Sequence, residues 1–188
     1  MIRKITYLLM LSLMFSSAFA QQNPVAIKQG TQLDYKFFLY GQTVGIGMTV
    51  RSVTDSVLLD WNLRGMAFGS YLVSKEGFEN GNKLNFIQPT PSAVLRLAPD
   101  ETFAVISKAA FRLLKKDKKF VYNNTTYVLQ DDKKLPPFKV GDHETDVLHV
   151  TGVEEHGELW ILNDPDFPLI CQMKNNPVGI NFTIVAIR

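Results

Sequence analysis

The chain has 188 residues, of which 46% are hydrophobic and 20% are charged, and its formal net charge is +2. This length suits one domain with a substantial core, and the hydrophobic content excludes a disordered chain. Cys171 is the only cysteine. A single cysteine excludes an intramolecular disulfide and a thiolate-rich zinc site, so we expect a buried, inert thiol and a fold that is stabilised by packing.

The first twenty residues have the three-part layout of a secretory signal peptide. Arg3 and Lys4 give a positive start, an apolar run follows over Ile5–Phe15, and small residues at Ala18 and Ala20 suit signal peptidase. The apolar run has about a dozen residues, whereas a membrane span needs about twenty. We therefore expect cleavage after residue 20, no transmembrane anchor in the mature chain, and a location in the periplasm or outside the cell.

Removal of this segment changes the charge balance. Arg3 and Lys4 account for the whole formal excess of Lys and Arg over Asp and Glu, so the predicted mature chain has no net charge. A neutral chain has no general attraction to nucleic acid or to anionic lipid. We therefore expect no nucleic-acid partner.

After a flexible leader over residues 21–30, one β-rich domain is predicted over residues 31–188. Its first part is an antiparallel meander of three strands with alternating apolar residues or high aromatic content: Leu33–Tyr40, Val44–Val53 and Val57–Arg64. Gly45 and Gly47 leave one face of the second strand bare, which predicts a bend or the close approach of another backbone.

The middle of the chain contains the best predicted helix. Ser70–Val73 is predicted to extend the sheet, and a helical turn over Ser74–Phe78 is predicted to end near Gly81. Ser107 is a good N-cap for the main helix, Lys108–Lys116. The apolar side of that helix is predicted from Ala109, Ala110, Leu113 and Leu114. The basic residues at its end indicate either solvated cations at a helix C-terminus or a polyanion patch.

The second half of the chain returns to strands. Asn123-Asn124 is a good hairpin turn because Asn tolerates positive φ. The predicted strands are Phe120–Tyr122, Thr126–Gln130, Asp146–Val153, Glu158–Leu162, Leu169–Met173 and Val178–Ile187. The whole pattern predicts a mainly β fold, with a single antiparallel curved sheet that forms an open or half barrel around the short helix Ser107–Lys116. A closed lipocalin-like barrel is the alternative.

Several segments resemble exported proteins of the Bacteroidota, namely Glu101–Lys108, Phe120–Tyr127, Glu158–Cys171 and Asn176–Ile180. This resemblance covers most of the mature chain, and it implies the periplasm or beyond without implying a mechanism. A looser likeness, of architecture only, links the strand, helix and strand order to the periplasmic half barrels of lipoprotein-carrier proteins.

The sequence contains no catalytic or cofactor motif. It has no G-x-S-x-G, P-loop or Rossmann glycine pattern. His143, His149 and His156 lie too far apart along a strand and its connections to converge on a metal, unless that strand bends. We therefore expect no metal site and no cofactor. A hydrolase with dispersed residues around His149 and Asp146 is the third functional hypothesis. The sequence leaves open whether the chain is an enzyme, and the absence of catalytic motifs favours a protein that is not one.

The first hypothesis is a binding module for an apolar ligand such as a lipid or an acyl chain. The aromatic content, the neutral charge and the predicted curvature of the sheet support it. Each candidate lining residue also fits the packed core: Tyr35, Phe37, Trp61, Phe111 and Trp160. An empty cavity of a few hundred Å³ would favour binding, and a packed interior would oppose it. The second hypothesis is a structural or interaction protein of the cell envelope that acts through an exposed surface or sheet edge.

Overall fold

A computed structural model describes residues 25–39, 41–85, 87, 90–131 and 136–188. The predicted signal peptide and the start of the leader lie outside these ranges. Within the described part of the leader, Ile27 is buried in the core, and the Gly30 amide donates a hydrogen bond to the Val50 carbonyl at 2.8 Å. The flexibility of the leader stays a prediction.

Short strands make up most of the described chain. In chain order, the strands are β1 (Gln32–Leu39), β2 (Gln42–Ser52), β3 (Val57–Leu63), β4 (Ala67–Val73), β5 (Lys83–Leu84), β6 (Val94–Arg96), β7 (Glu101–Thr102), β8 (Lys119–Tyr122), β9 (Thr125–Leu129), β10 (Lys139–Val140), β11 (His143–Glu144), β12 (Val147–Gly152), β13 (Glu158–Leu162), β14 (Ile170–Lys174) and β15 (Ile180–Ile187). The helices are α1 (Lys75–Asn80) and α2 (Lys108–Asp117).

Eleven of the strands form one sheet in the order β6-β4-β3-β2-β1-β15-β14-β13-β12-β9-β8. All neighbours in this sheet are antiparallel except β4 and β6, which are parallel. The sheet is not closed, because β6 and β8 lie at its two opposite edges. The prediction of a mainly β fold with one open sheet is therefore confirmed, and the closed lipocalin-like barrel is not formed.

Alternation of side chains divides the sheet into two faces. On β1, the buried side chains of Leu33, Tyr35 and Phe37 belong to the core face, and Asp34 and Lys36 point to the opposite side, called the outer face below. The same period-2 pattern in the other long strands gives one continuous hydrophobic core on the core face. The outer face of the first strands is polar, and it forms the site described below.

The main helix covers the core as expected, although its buried side differs from the prediction. Ser107 caps α2 by accepting a hydrogen bond from the Ala110 amide at 3.3 Å. The buried residues are Ala110, Phe111 and Leu114, whereas 47% of Leu113 is exposed. The expected apolar side was therefore wrong at Leu113, because Phe111 supplies the larger apolar surface and turns toward the core. Among the described residues, neither helix is long and apolar enough to cross a membrane.

Two local predictions are confirmed at the turns. Ser74 caps α1, its side chain accepts a hydrogen bond from the Gly77 amide at 3.0 Å, and Gly81 ends the helix. Asn123 and Asn124 join β8 to β9 with φ angles of 50° and 60°. Positive φ at both central residues is the geometry of a type I′ hairpin turn.

Candidate functional site

The structure does not bring the five predicted aromatic residues to one place. Tyr35 and Phe37 are neighbours on the core face of β1, with ring centroids 6.0 Å apart, and both contact the ring of Phe182. The Tyr35 hydroxyl donates a hydrogen bond to the Ile170 carbonyl at 3.1 Å. The cavity beside these rings has a volume of only about 10 Å³. This space is enough for about one water molecule, so the rings are packed as core residues.

The other three aromatic candidates lie in separate environments. Phe111 is buried under α2, and Trp61 is buried on the core face of β3. Trp160 is half-buried on the outer face of β13, where it stacks on His149 with ring centroids 4.2 Å apart. Tyr35 and Phe37 line the small cavity together, and Trp61 contributes to a larger opening on the outer face.

That larger opening is a groove of about 550 Å³ on the outer face of the first strands, called the outer groove below. Two rows of residues in cross-strand register form most of its floor. One row runs across β1 to β4 through Asp34, Gly47, Asn62 and Phe68. The adjacent row extends to β6 and contains Gln32, Thr49, Asp60, Ser70 and Val94. The volume of the outer groove lies in the range of about 300–1,000 Å³ that is typical of small-molecule sites.

A missing side chain gives the outer groove its depth. Gly47 stands between Asp34 and Asn62 in the first row, and a Cβ at this position would lie 3.6 Å from Asp34 Oδ1. A Cβ at Gly45 would meet nothing within 4 Å, so no other backbone approaches this face at Gly45. Of the two predicted alternatives at these glycines, a close backbone approach is not found at Gly45, and a bend of the sheet stays a prediction.

Ion pairs organise the polar floor of the outer groove. Asp60 accepts hydrogen bonds from Arg51 Nε at 2.5 Å and from Ser70 Oγ at 2.7 Å. Asp34 pairs through Oδ2 with a terminal nitrogen of Arg188 at 2.6 Å. Each carboxylate is therefore neutralised by a guanidinium. About a third of each carboxylate side chain is exposed, so both remain accessible to a ligand.

A close backbone approach does occur at Gly69, beside the indole of Trp61. A Cβ at Gly69 would lie 2.9 Å from Trp61 Nε1, from Trp61 Cζ2 and from the Ala93 carbonyl oxygen. Trp61 Nε1 is buried without a hydrogen-bond acceptor among the described residues. The indole therefore packs directly against the β4 backbone.

The histidine region holds a hydrogen-bonded pair of a histidine and a glutamate on the outer face of the second half of the sheet. His149 Nε2 lies 3.0 Å from Glu158 Oε2, and Glu158 Oε1 accepts a hydrogen bond from Asn175 Nδ2 at 2.8 Å. Lys174 Nζ lies 4.9 Å from the centre of the Trp160 ring. The other residue of the hydrolase hypothesis, Asp146, accepts a hydrogen bond from Asn163 Nδ2 at 2.8 Å. The described residues contain no group of three or more His, Cys, Asp or Glu side chains that could hold a metal ion.

Cys171 is fully buried on β14, as a structural thiol would be. Burial raises the pKa of this thiol to about 12. Since the thiolate is the reactive form, the thiol is protonated and unreactive near neutral pH.

The polar residues of the outer groove were not among the site residues predicted from the sequence. Asp34, Asp60 and Asn62 alternate with apolar residues as ordinary outward positions of strands, and alternation alone does not tell which outward positions lie side by side. The available signal was the pair Gly45 and Gly47, which indicated a bare face. The strand register is what joins Gly47 to Asp34 and Asn62.

The chain matches no family model and no curated protein in comparisons with known proteins.

Proposed function

We propose that this chain is exported by the signal over residues 1–20 and acts in the periplasm or beyond as a binding module. Its ligand would occupy the outer groove. The single observation that carries this proposal is a groove of about 550 Å³ floored by two registered rows of side chains. A site built on paired strands holds its side chains more rigidly than a site built on loops.

The outer groove supports binding better than the interior does. The cavity beside Tyr35 and Phe37 has about 10 Å³, so an acyl chain could enter there only if the core opened. The outer groove is open to solvent and combines the exposed ring of Phe68 with carboxylate, amide, hydroxyl and guanidinium groups. A few polar groups beside an apolar surface are the usual composition of a ligand site.

The binding proposal is tested on protein taken from a bacterial periplasm, because the proposed export and the resemblance to exported proteins of the Bacteroidota both point to that compartment. The mature chain, residues 21–188, is purified from a bacterial periplasm without detergent and weighed by native mass spectrometry. A stoichiometric added mass is the expected result, and analysis of the organic and aqueous extracts then identifies its chemical class. As a control, the same chain is denatured, washed and refolded, which removes the added mass. A native protein with the mass of the bare chain would contradict the proposal.

A second candidate, an interaction protein of the cell envelope, is supported by the edge strand β6. Among the described strands, β6 pairs with β4 alone; Val94 on β6 is 51% exposed, and Phe68 on β4 is 59% exposed. An unpaired edge next to apolar side chains can accept a strand from a partner. A photo-crosslinking residue at Arg96 would then capture one envelope protein, and the same residue at Lys119, on the opposite edge, would not. Equal capture at both edges would contradict this candidate.

A further inference from the structure

The backbone under the outer groove is already paired, and this limits what the groove can recognise. The strands β1 to β4 pair with one another along its floor, so their amide and carbonyl groups are consumed by the sheet. An extended peptide binds a sheet through unpaired backbone groups at an edge, and of the described strands that floor the groove, β6 is the one at an edge. Over β1 to β4, a ligand must therefore be recognised by side chains.

Those side chains present many hydrogen-bonding groups in a small area. Asp34 and Asp60 are acceptors, Arg51 is a donor, and Gln32 and Asn62 carry both donors and acceptors. Asp60 and Arg51 retain capacity after their own ion pair, because a carboxylate has about four lone-pair sites and a guanidinium has five N–H groups. A ligand that matches this surface has several donors and acceptors at short spacing.

The charges of the outer groove favour a ligand without charge. Arg51 pairs with Asp60, and Arg188 pairs with Asp34, so the two carboxylates and the two guanidiniums balance. Because these four charges balance, the groove has no net charge that would attract an anionic or a cationic ligand. Phe68, which is 59% exposed, adds an aromatic face at the end of the first row. The negative face of such a ring attracts the C–H groups of a flat apolar surface.

From these features we infer that the outer groove binds a neutral polyhydroxylated ligand, namely a saccharide. This inference rests on the proposed function of the groove as a binding site. Hydroxyl groups donate and accept at once, as the mixed side chains of the floor require, and the C–H face of a sugar ring stacks on Phe68. Gly47 leaves the space between Asp34 and Asn62 in which one ring lies.

Two glycines on the same face of β2 provide a matched test. Gly47→Val fills the centre of the groove, and Gly45→Val adds the same side chain two residues away, outside the groove lining. Neither glycine has a positive φ, and valine is favoured in strands, so both variants suit the backbone. An array of neutral and acidic glycans identifies the best neutral oligosaccharide, and calorimetry then measures its affinity for each protein. We expect Gly47→Val to weaken binding by about tenfold or more and Gly45→Val to leave it unchanged.

A second pair of variants keeps the test valid if Gly47→Val fails to fold. Phe68→Ala removes the exposed ring of the groove, and Phe38→Ala removes an exposed ring of the outer face that does not line it. We expect Phe68→Ala to weaken the affinity for the oligosaccharide by roughly two- to tenfold and Phe38→Ala to leave it unchanged. A free sugar in the aqueous extract and a glycolipid in the organic extract of the purified protein would both support the inference and would name the source of the saccharide.

The failure of this inference differs from the failure of the proposed function. If no neutral glycan binds, or if Gly47→Val leaves glycan affinity unchanged, the saccharide inference is overturned. If a co-purified fatty acid or other non-saccharide is then lost in Gly47→Val and kept in Gly45→Val, the binding function stands with a different ligand class. If the native chain carries no added mass, the proposed function is contradicted, and the saccharide inference that rests on it is overturned as well.

Discussion

Gly69 shows how one missing side chain permits close packing between two strands. The backbone of β4 can lie against the Trp61 indole only because position 69 has no Cβ, which would contact both the indole and the Ala93 carbonyl oxygen at 2.9 Å. The sequence contains twelve glycines and does not distinguish this one. The requirement arises from a tertiary contact, which becomes visible only after the strands are paired.

Gly69→Ala is therefore expected to destabilise the fold by about 1–3 kcal/mol, because backbone and indole must both move. Gly45→Ala is the matched control, since its methyl group enters open space and its cost is within about 0.5 kcal/mol. Urea denaturation followed by tryptophan fluorescence measures both free energies of unfolding. Equal values for the two variants would contradict the close approach at Gly69.

The Cys171 thiol is expected to be unreactive in the native protein. Burial raises its pKa to about 12, so almost no thiolate is present at pH 8, and no reagent reaches the sulfur. Ellman's reagent should therefore release no colour from the native chain and one equivalent from the chain in guanidinium chloride. Rapid labelling of the native protein would show that β14 is exposed or opens easily.

Among the elements, helix α2 separates what local pattern predicts from what it does not. Ser107 and the bounds of the helix were predictable because an N-cap is a local signal. The buried side was predicted incorrectly at Leu113, since both Phe111 and Leu113 are apolar and helical spacing allowed either to face the core. The rest of the fold decides between them, and it selects Phe111.

The burial of Phe111 and the exposure of Leu113 predict unequal losses of stability when each side chain is truncated to alanine. Phe111→Ala removes a buried ring and is expected to cost about 3–5 kcal/mol of stability. Leu113→Ala removes an exposed side chain and is expected to cost less than about 1 kcal/mol. Thermal and urea unfolding of the two variants tests this difference. A larger loss for Leu113→Ala would mean that the helix is turned as the sequence pattern suggested.

At the scale of the whole molecule, the buried hydroxyl and thiol groups predict sensitivity to alkali. Burial raises the pKa values of Tyr35, Tyr71 and Tyr122 above the ordinary value of 10.0, and that of Cys171 from 9.0 to about 12. Above these ordinary values the unfolded chain releases protons that the folded chain keeps. The free energy of unfolding therefore falls as the pH rises, by about 1.4 kcal/mol per pH unit for each group.

We accordingly expect these groups to make a constant contribution to the free energy of unfolding below about pH 9, and we expect that free energy to fall progressively above pH 9. Urea midpoints measured from pH 7 to pH 11 test this expectation. Cys171→Ser keeps the three tyrosines and removes the thiol, so its stability should begin to fall at a higher pH than that of the wild type. Stability that stays constant up to pH 11 would contradict the burial of these groups.

The sequence was sufficient for the class of fold and insufficient for the candidate site. Long strands with period-2 alternation, such as β2 and β15, and the Asn123-Asn124 turn were predictable from neighbouring residues alone. Strands of two or three residues, such as β6, carry too short a pattern to detect. The outer groove was not predictable for a further reason. Its floor joins residues of five strands, and that juxtaposition depends on register between segments far apart in the chain.

Native mass spectrometry of three proteins, each purified from the periplasm without detergent, shows whether the outer groove holds the ligand. These are the wild-type mature chain, Gly47→Val and Gly45→Val. If the outer groove is the binding site, the wild type and Gly45→Val will carry the same added mass, and Gly47→Val will have the mass of the bare chain. An added mass on all three proteins, or on none, would contradict the claim that ligand binding in this groove is what the protein does.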